Sequence, residues 1–114
     1  LLPEEPAAFV EKISFATLNI VESMRNDPAD VAPGKRFLGK YLPITHRIID
    51  EHKRLAAMNV KTDDINGSLA RSHEMLERLS NAFADEYAAL QQNDAINFTA
   101  ELNALDAVLK MQGH

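Results

Sequence analysis

The chain has 114 residues, with 46% hydrophobic and 25% charged residues, the make-up of one folded domain rather than a disordered segment. Cysteine and tryptophan are both absent, which excludes disulfides, thiolate metal sites and cysteine nucleophiles. A net charge of −5 offers no global attraction for nucleic acid, so none is expected as a partner.

In chain order, Phe9, Ile13, Ala16, Ile20 and Met24 recur at spacings of three and four, the signature of an amphipathic helix. It should begin near Glu4 to Pro6, with acidic residues in its first turn, and stop at Asn26-Asp27-Pro28. Asp27-Pro28 reads as cap and first position of a short helical turn, broken by Pro33-Gly34. From Lys35 to about Asn59 the helical pattern returns through Phe37, Leu38, Tyr41, Ile44, Ile48, Leu55 and Met58. Pro43 lies inside it and predicts a kink or break near Lys40 to Pro43. Thr62 predicts the cap of a third helix with Asp63 and Asp64 in its first turn, running to about Gln92. Asn93-Asp94 reads as a turn. Asn97 then caps a last helix ended by Gly113, whose Leu102, Leu105 and Leu109 should face the core. No stretch alternates with period two long enough for a strand. The expectation is a single all-α domain over residues 1–114, an antiparallel bundle of about four helices.

No apolar run exceeds four residues, so no spanning segment lies within the chain. The acidic, proline-punctuated start, lacking an initiator Met, predicts a piece of a longer protein, a soluble C-terminal part. Charge is uneven: residues 31–61 hold seven basic groups against two acidic ones, while both flanking segments are acidic. Such a basic helix either attracts its acidic neighbours along their flanks or presents an anion-binding stripe.

Few residues carry recognisable chemistry. His46 and Asp50 lie four apart, as do His73 and Glu77, so each pair can share a helix face. His46 and Asp50 are the metal candidates, although the Glu-x-x-His signature of di-iron bundles is missing. No cofactor is evident, and a divalent metal is the one kind left open. Asp63/Asp64 and Asp85/Glu86 are sequence neighbours that point apart on a helix. No Gly-rich phosphate loop or Gly-x-Ser-x-Gly elbow occurs. Ser14, Ser23, Ser68, Ser72 and Ser80 fall on helices without an obvious base beside them.

The segment Arg36-Phe37-Leu38-Gly39-Lys40-Tyr41-Leu42-Pro43-Ile44-Thr45, after the proline-led turn at Asp27-Pro28, resembles the XpaC family. That family is named for 5-bromo-4-chloroindolyl phosphate hydrolysis. The tail from Ile96-Asn97-Phe98-Thr99 to Gln112-Gly113 agrees with it, so the resemblance spans residues 27 to 114. Phe37, Leu38, Tyr41, Leu42, Pro43 and Thr45 are its motif positions. Lys40 stands where a second tyrosine is usual, and an acidic residue typical of the tail is replaced around Ala100, Asn103 and Ala104.

The resemblance implies a bacterial helical region whose parent carries hydrophobic segments upstream, placing this domain on the cytoplasmic side of a membrane-anchored protein. It also implies a link to TelA-type toxic anion (tellurite) resistance proteins. It brings no catalytic motif. Residue by residue, Phe37, Leu38 and Tyr41 read as core. Lys35, Arg36, Lys40 and Arg47 surround the carbonyl of Gly39 that Pro43 leaves without its helical donor, and form the candidate anion site. Three functions compete on this reading: a helical module that docks a TelA-type partner or itself, a hydrolase of small phosphate monoesters, and a bundle that binds anions or acidic lipid.

Overall fold

The computed structural model describes residues 6–114 and is all-α. Helix α1 spans Pro6–Asn26, α2 Pro28–Ala56 and α3 Asp63–Met111, and each packs on the other two. Among the described residues there are therefore three helices where about four were expected. The predicted acidic first turn at Glu4 and Glu5 lies outside the described residues. Within them no helix is long and apolar enough to cross a membrane.

Local chemistry sets two of the starts. Asp27 caps α2 with its Oδ1 accepting from the Ala29 amide at 2.9 Å, and Pro28 occupies the first position. Proline is suited to that position because its missing donor would be unpaired there anyway. Thr62 Oγ1 accepts from the Ile65 amide at 3.2 Å and caps α3 above Asp63 and Asp64. Gly113, at φ 84°, lies just beyond the end of α3, where an αL residue lets the last carbonyls be met.

The differences from expectation have physical causes. The turn at 28–33 is not a separate element: α2 runs unbroken through Pro33 and Pro43. Each proline forfeits one amide donor, and packing on both neighbouring helices outweighs that loss. The turn at Asn93-Asp94 and the separate last helix do not exist either. No glycine or proline lies between Ser68 and Gln112, and Asn-Asp only weakens a helix. So α3 continues for 49 residues.

The core forms where the three helices meet. Ile13, Ala16 and Ile20 of α1 pack with Leu38 of α2 and with Phe83 and Leu90 of α3, flanked by Phe37, Tyr41, Leu79 and Tyr87. Phe37 meets Phe83 edge-on, with centroids 4.9 Å apart. Phe37, Leu38 and Tyr41 are thus core residues, as their spacing predicts. Leu102, Leu105 and Leu109 are not: they are exposed, as are Ile96, Phe98, Val108 and Met111. Beyond Gln92, α3 leaves the bundle as an arm of about 28 Å at 1.5 Å per residue. The chain accordingly measures 78 × 30 × 17 Å with a radius of gyration of 20.6 Å, against about 13 Å for a compact domain of this size.

Candidate functional site

The expected anion site is spread along α2. Lys35, Arg36 and Lys40 are exposed, and the Lys40 ammonium sits 5.2 Å from the centre of the Tyr41 ring, a cation–π contact. Arg47 lies about 16 Å further along the helix axis than Arg36. There it lines a concavity of about 390 Å³ between α2 and the start of α3, together with Ile48, Glu51, His52, Ser68 and Ser72. His46 Nε2 and Asp50 Oδ2 are 3.1 Å apart on the surface of α2, with side chains 78% and 61% exposed. This is an i,i+4 contact open to solvent, which holds a metal poorly without further ligands.

That concavity corrects one expectation. Ser72 does have a base beside it: His52 Nδ1 is hydrogen-bonded to Ser72 Oγ across the α2–α3 seam. The same hydroxyl is 3.0 Å from the Leu69 carbonyl, so its single proton serves one acceptor or the other. Burial, and secondarily the charge of His73, holds His52 below the usual imidazole range, which keeps it neutral and able to accept a proton. The backbone amides around Ser72 are committed to α3, so no oxyanion hole of amides is on offer. Arg47 is the cation lining the same concavity. The two partners are 20 residues apart on different helices, so no local motif announces them.

A titration follows from this placement. The folded value of His52 lies below its unfolded one, so the folded state binds fewer protons through that interval. The resulting stability is fully present above about pH 6.5 and is lost as pH falls through the folded value. As pH drops below about 6.5, the Tm of the wild type should fall relative to that of His52→Gln, which lacks this titration. A Tm difference that stays constant with pH would show that His52 does not contribute this dependence.

A second constellation sits at the other end of the bundle. Asp27 and Asp30, in the cap and first turn of α2, converge with Asp94 of α3. One carboxylate oxygen from each lies within 4.8 Å of the other two. Asp30 is only 3% exposed. Its Oδ2 and Oδ1 of Asp94 are buried without a hydrogen-bond partner. Burial first, then a hydrogen bond with Asp27 and the charge of Asp30, pushes Asp94 up to about 6. Asp94 also lines a polar pocket of about 260 Å³ with Asn19, Ser23, Asn26, Tyr87 and Gln91, where Gln91 Nε2 donates to the Tyr87 hydroxyl at 2.7 Å. In the sequence Asp27 reads as a cap and Asp94 as part of a turn, and the separation of 64 positions between Asp30 and Asp94 hides their meeting.

The arm and a groove complete the inventory. At 100° per residue, Phe98, Leu105 and Val108 fall within about 60° of Phe83, so the arm continues the face by which α3 packs on the bundle. Phe98, Leu102, Leu105 and Leu109 are spaced four, three and four, the rhythm of a helix–helix seam. On the bundle, α1 and α2 leave a groove between them, lined by Val10, Leu18, Leu42, Thr45 and Ile49 over about 380 Å³. It runs on past Val10 and Ile49 to Lys53 over about another 400 Å³. Thr45, a motif position, is 2% exposed, and its hydroxyl has no partner there.

Compared with known proteins, residues 6–105 match the model of a family described as 5-bromo-4-chloroindolyl phosphate hydrolysis protein. The match takes in α1 as well as the motif on α2. No curated protein matches, nor does any solved structure.

Proposed function

Since the chain belongs to the 5-bromo-4-chloroindolyl phosphate hydrolysis protein family, named for an activity without a motif to carry it, we propose that its own role is that of a helical docking module. Its docking element is the arm of α3, and the occupant of its groove is the arm of a second copy. The carrying observation is the arm itself, some 19 residues of helix with seven large apolar side chains exposed. An isolated helix of that length is marginal in water and draws its stability from packing.

Several features favour a second copy. The accessible surface is 8201 Å², where a compact monomer of this mass has about 6,200 Å². Summed over two chains, an excess of roughly 2,000 Å² each falls in the range that obligate homodimers bury. The arm carries Asp94, Glu101 and Asp106 against Lys110, whereas α2, one wall of the groove, is the basic segment of the chain. The groove has no wall from α3, so it opens on the far side of α1 and α2. The arm's apolar face points to that same side. Two copies related by a two-fold axis therefore lay each arm in the other's groove at ordinary helix spacings of about 8–10 Å. Each bundle gains a fourth helix in this way. In the setting that the family resemblance implies, such a module serves toxic anion (tellurite) resistance, with a TelA-type protein as the rival occupant.

Sedimentation equilibrium on the full chain and on Leu102→Glu/Leu105→Glu tests this. Burying a leucine contributes about 1.5–3 kcal/mol, so two charged replacements per arm should weaken dimerisation at least about a hundredfold. A wild type that stays monomeric at high concentration, or a variant that dimerises as well as the wild type, overturns the reading. A monomer whose arm binds a TelA-type protein transfers the docking role to that partner.

The concavity of Arg47, His52 and Ser72 favours a second reading, hydrolysis of small phosphate monoesters. Arg47 would hold the phosphate and neutral His52 would take a proton from Ser72. Turnover of 5-bromo-4-chloroindolyl phosphate by purified protein should then fall at least about a hundredfold in both Ser72→Ala and His52→Gln. Turnover that both variants retain would assign the activity to a contaminant.

A further inference from the structure

Asp30 is a carboxyl group placed inside the bundle, and among the described residues no Lys or Arg forms an ion pair with it, with Asp27 or with Asp94. Burying an uncompensated carboxylate is costly, so such a group either takes a proton or meets a cation. Three carboxylates in one place compound the cost, because each disfavours ionisation of the others.

We infer that Asp27, Asp30 and Asp94 form a binding site for one divalent cation of the hard, oxygen-preferring class, Mg²⁺, Mn²⁺ or Ca²⁺. The donor set is all carboxylate oxygen, which suits these ions rather than zinc or copper. The spacing fits as well. Oxygens ligating calcium at about 2.4 Å lie no more than about 4.8 Å apart, and the three aspartate oxygens fall within 4.8 Å of one another. Asp27 uses Oδ1 for the Ala29 amide, which leaves Oδ2 for the ion. Asp30 Oδ2 and Asp94 Oδ1, buried and unpartnered, are the atoms that an ion would satisfy. Asn19, Ser23, Asn26 and Gln91 line the adjoining pocket and leave room for neutral oxygen or water ligands to complete the shell.

The rival occupant is a proton. A proton shared by two of the carboxyl groups would meet the same buried oxygens without an ion. The site rests on none of the docking or hydrolysis readings. It ties the first turn of α2 to α3 at the point where the arm leaves the bundle.

Calorimetric titration of the chelator-treated full chain with Mn²⁺, Mg²⁺ and Ca²⁺ near neutral pH tests it, with thermal melts in parallel. The wild type should bind one ion per chain and gain Tm, and Asp30→Asn and Asp94→Asn should each lose at least about tenfold in affinity. Terbium luminescence provides a readout that does not depend on those variants folding. The chain lacks Trp, and Tyr87 shares the pocket with Asp94, so tyrosine-excited Tb³⁺ emission should appear in the wild type. It should fall sharply in Tyr87→Phe while Mn²⁺ affinity is kept. No binding by the wild type, or affinity unchanged in both aspartate variants, overturns the site. Asp94→Asn that is more stable than a metal-indifferent wild type would assign the cluster to the proton instead.

Discussion

Phe83→Ala should lower stability by about 3–5 kcal/mol, a large share of the roughly 5–15 kcal/mol that holds a domain together. Phe83 is 0% exposed and stands where all three helices meet. Its ring contacts Phe37 edge-on, and Phe37 in turn lies 4.8 Å from Tyr41. Alanine removes the transfer energy of the ring and also leaves a void that long, straight helices cannot close by local collapse. The same truncation on the arm, Phe98→Ala, removes a ring that is 59% exposed and should cost the monomer less than about 0.5 kcal/mol. Chemical denaturation of both variants, monitored by circular dichroism at low protein concentration, makes the comparison. Near-equal losses would place the core elsewhere than the three-helix junction.

These two phenylalanines also mark how far sequence pattern reaches. The stripe from Phe9 to Met24, the caps at Asp27 and Thr62, and the core role of Phe37, Leu38 and Tyr41 are legible because each follows from local spacing or local hydrogen bonding. Phe98, Leu102, Leu105 and Leu109 obey the same periodicity as Leu76 and Phe83. Periodicity reports that a face is apolar, not what covers it, so a fourth core helix and a protruding arm read alike. Asn93-Asp94 favours turns through side-chain competition for backbone groups. Without a glycine or proline beside it, that preference yields to helix on both sides. The prolines err in the opposite direction: Pro33 and Pro43 each cost a donor, and tertiary contacts along α2 keep it continuous.

The candidate sites were less legible still. Ser72 with His52, and Asp94 with Asp27 and Asp30, are pairings between helices, with no spacing rule to reveal them. Of the expected anion set, Arg47 is brought into a concavity beside His52 and Ser72. The two constellations sit at opposite ends of the bundle, the neutral His–Ser pair near the α2–α3 loop and the acidic one near the α1–α2 junction. A variant at one end should therefore leave the other's readout unmoved, as sites this distant add independently.

Gly34→Val should destabilise the bundle by about 1–3 kcal/mol, whereas Gly39→Ala, five residues along the same helix, should stabilise it by about 0.5–1 kcal/mol. Taken as helix-interior glycines the two are equivalent, and alanine at either should help by shrinking the freedom of the unfolded chain. Their surroundings separate them. A Cβ on Gly39 meets nothing within 4 Å, so the propensity gain stands alone. A Cβ on Gly34 would come to 2.5 Å from Sδ and 2.6 Å from Cγ of Met24 on α1, with Ile20 Cγ2 at 3.5 Å. Met24 must then abandon its place against the core, because Cγ lies too near the root of that side chain for a swing of its tip to suffice. The branched valine adds a second methyl to the same crowded seam. Gly34 is one turn beyond Asp30, so separating α1 from α2 there also disturbs the approach of Asp27 and Asp30 to Asp94. Urea unfolding of the two variants checks the opposite signs, and Mn²⁺ titration of Gly34→Val should show weaker binding while Gly39→Ala binds as the wild type does. Two variants that shift stability in the same direction would mean that α1 and α2 do not meet at Gly34.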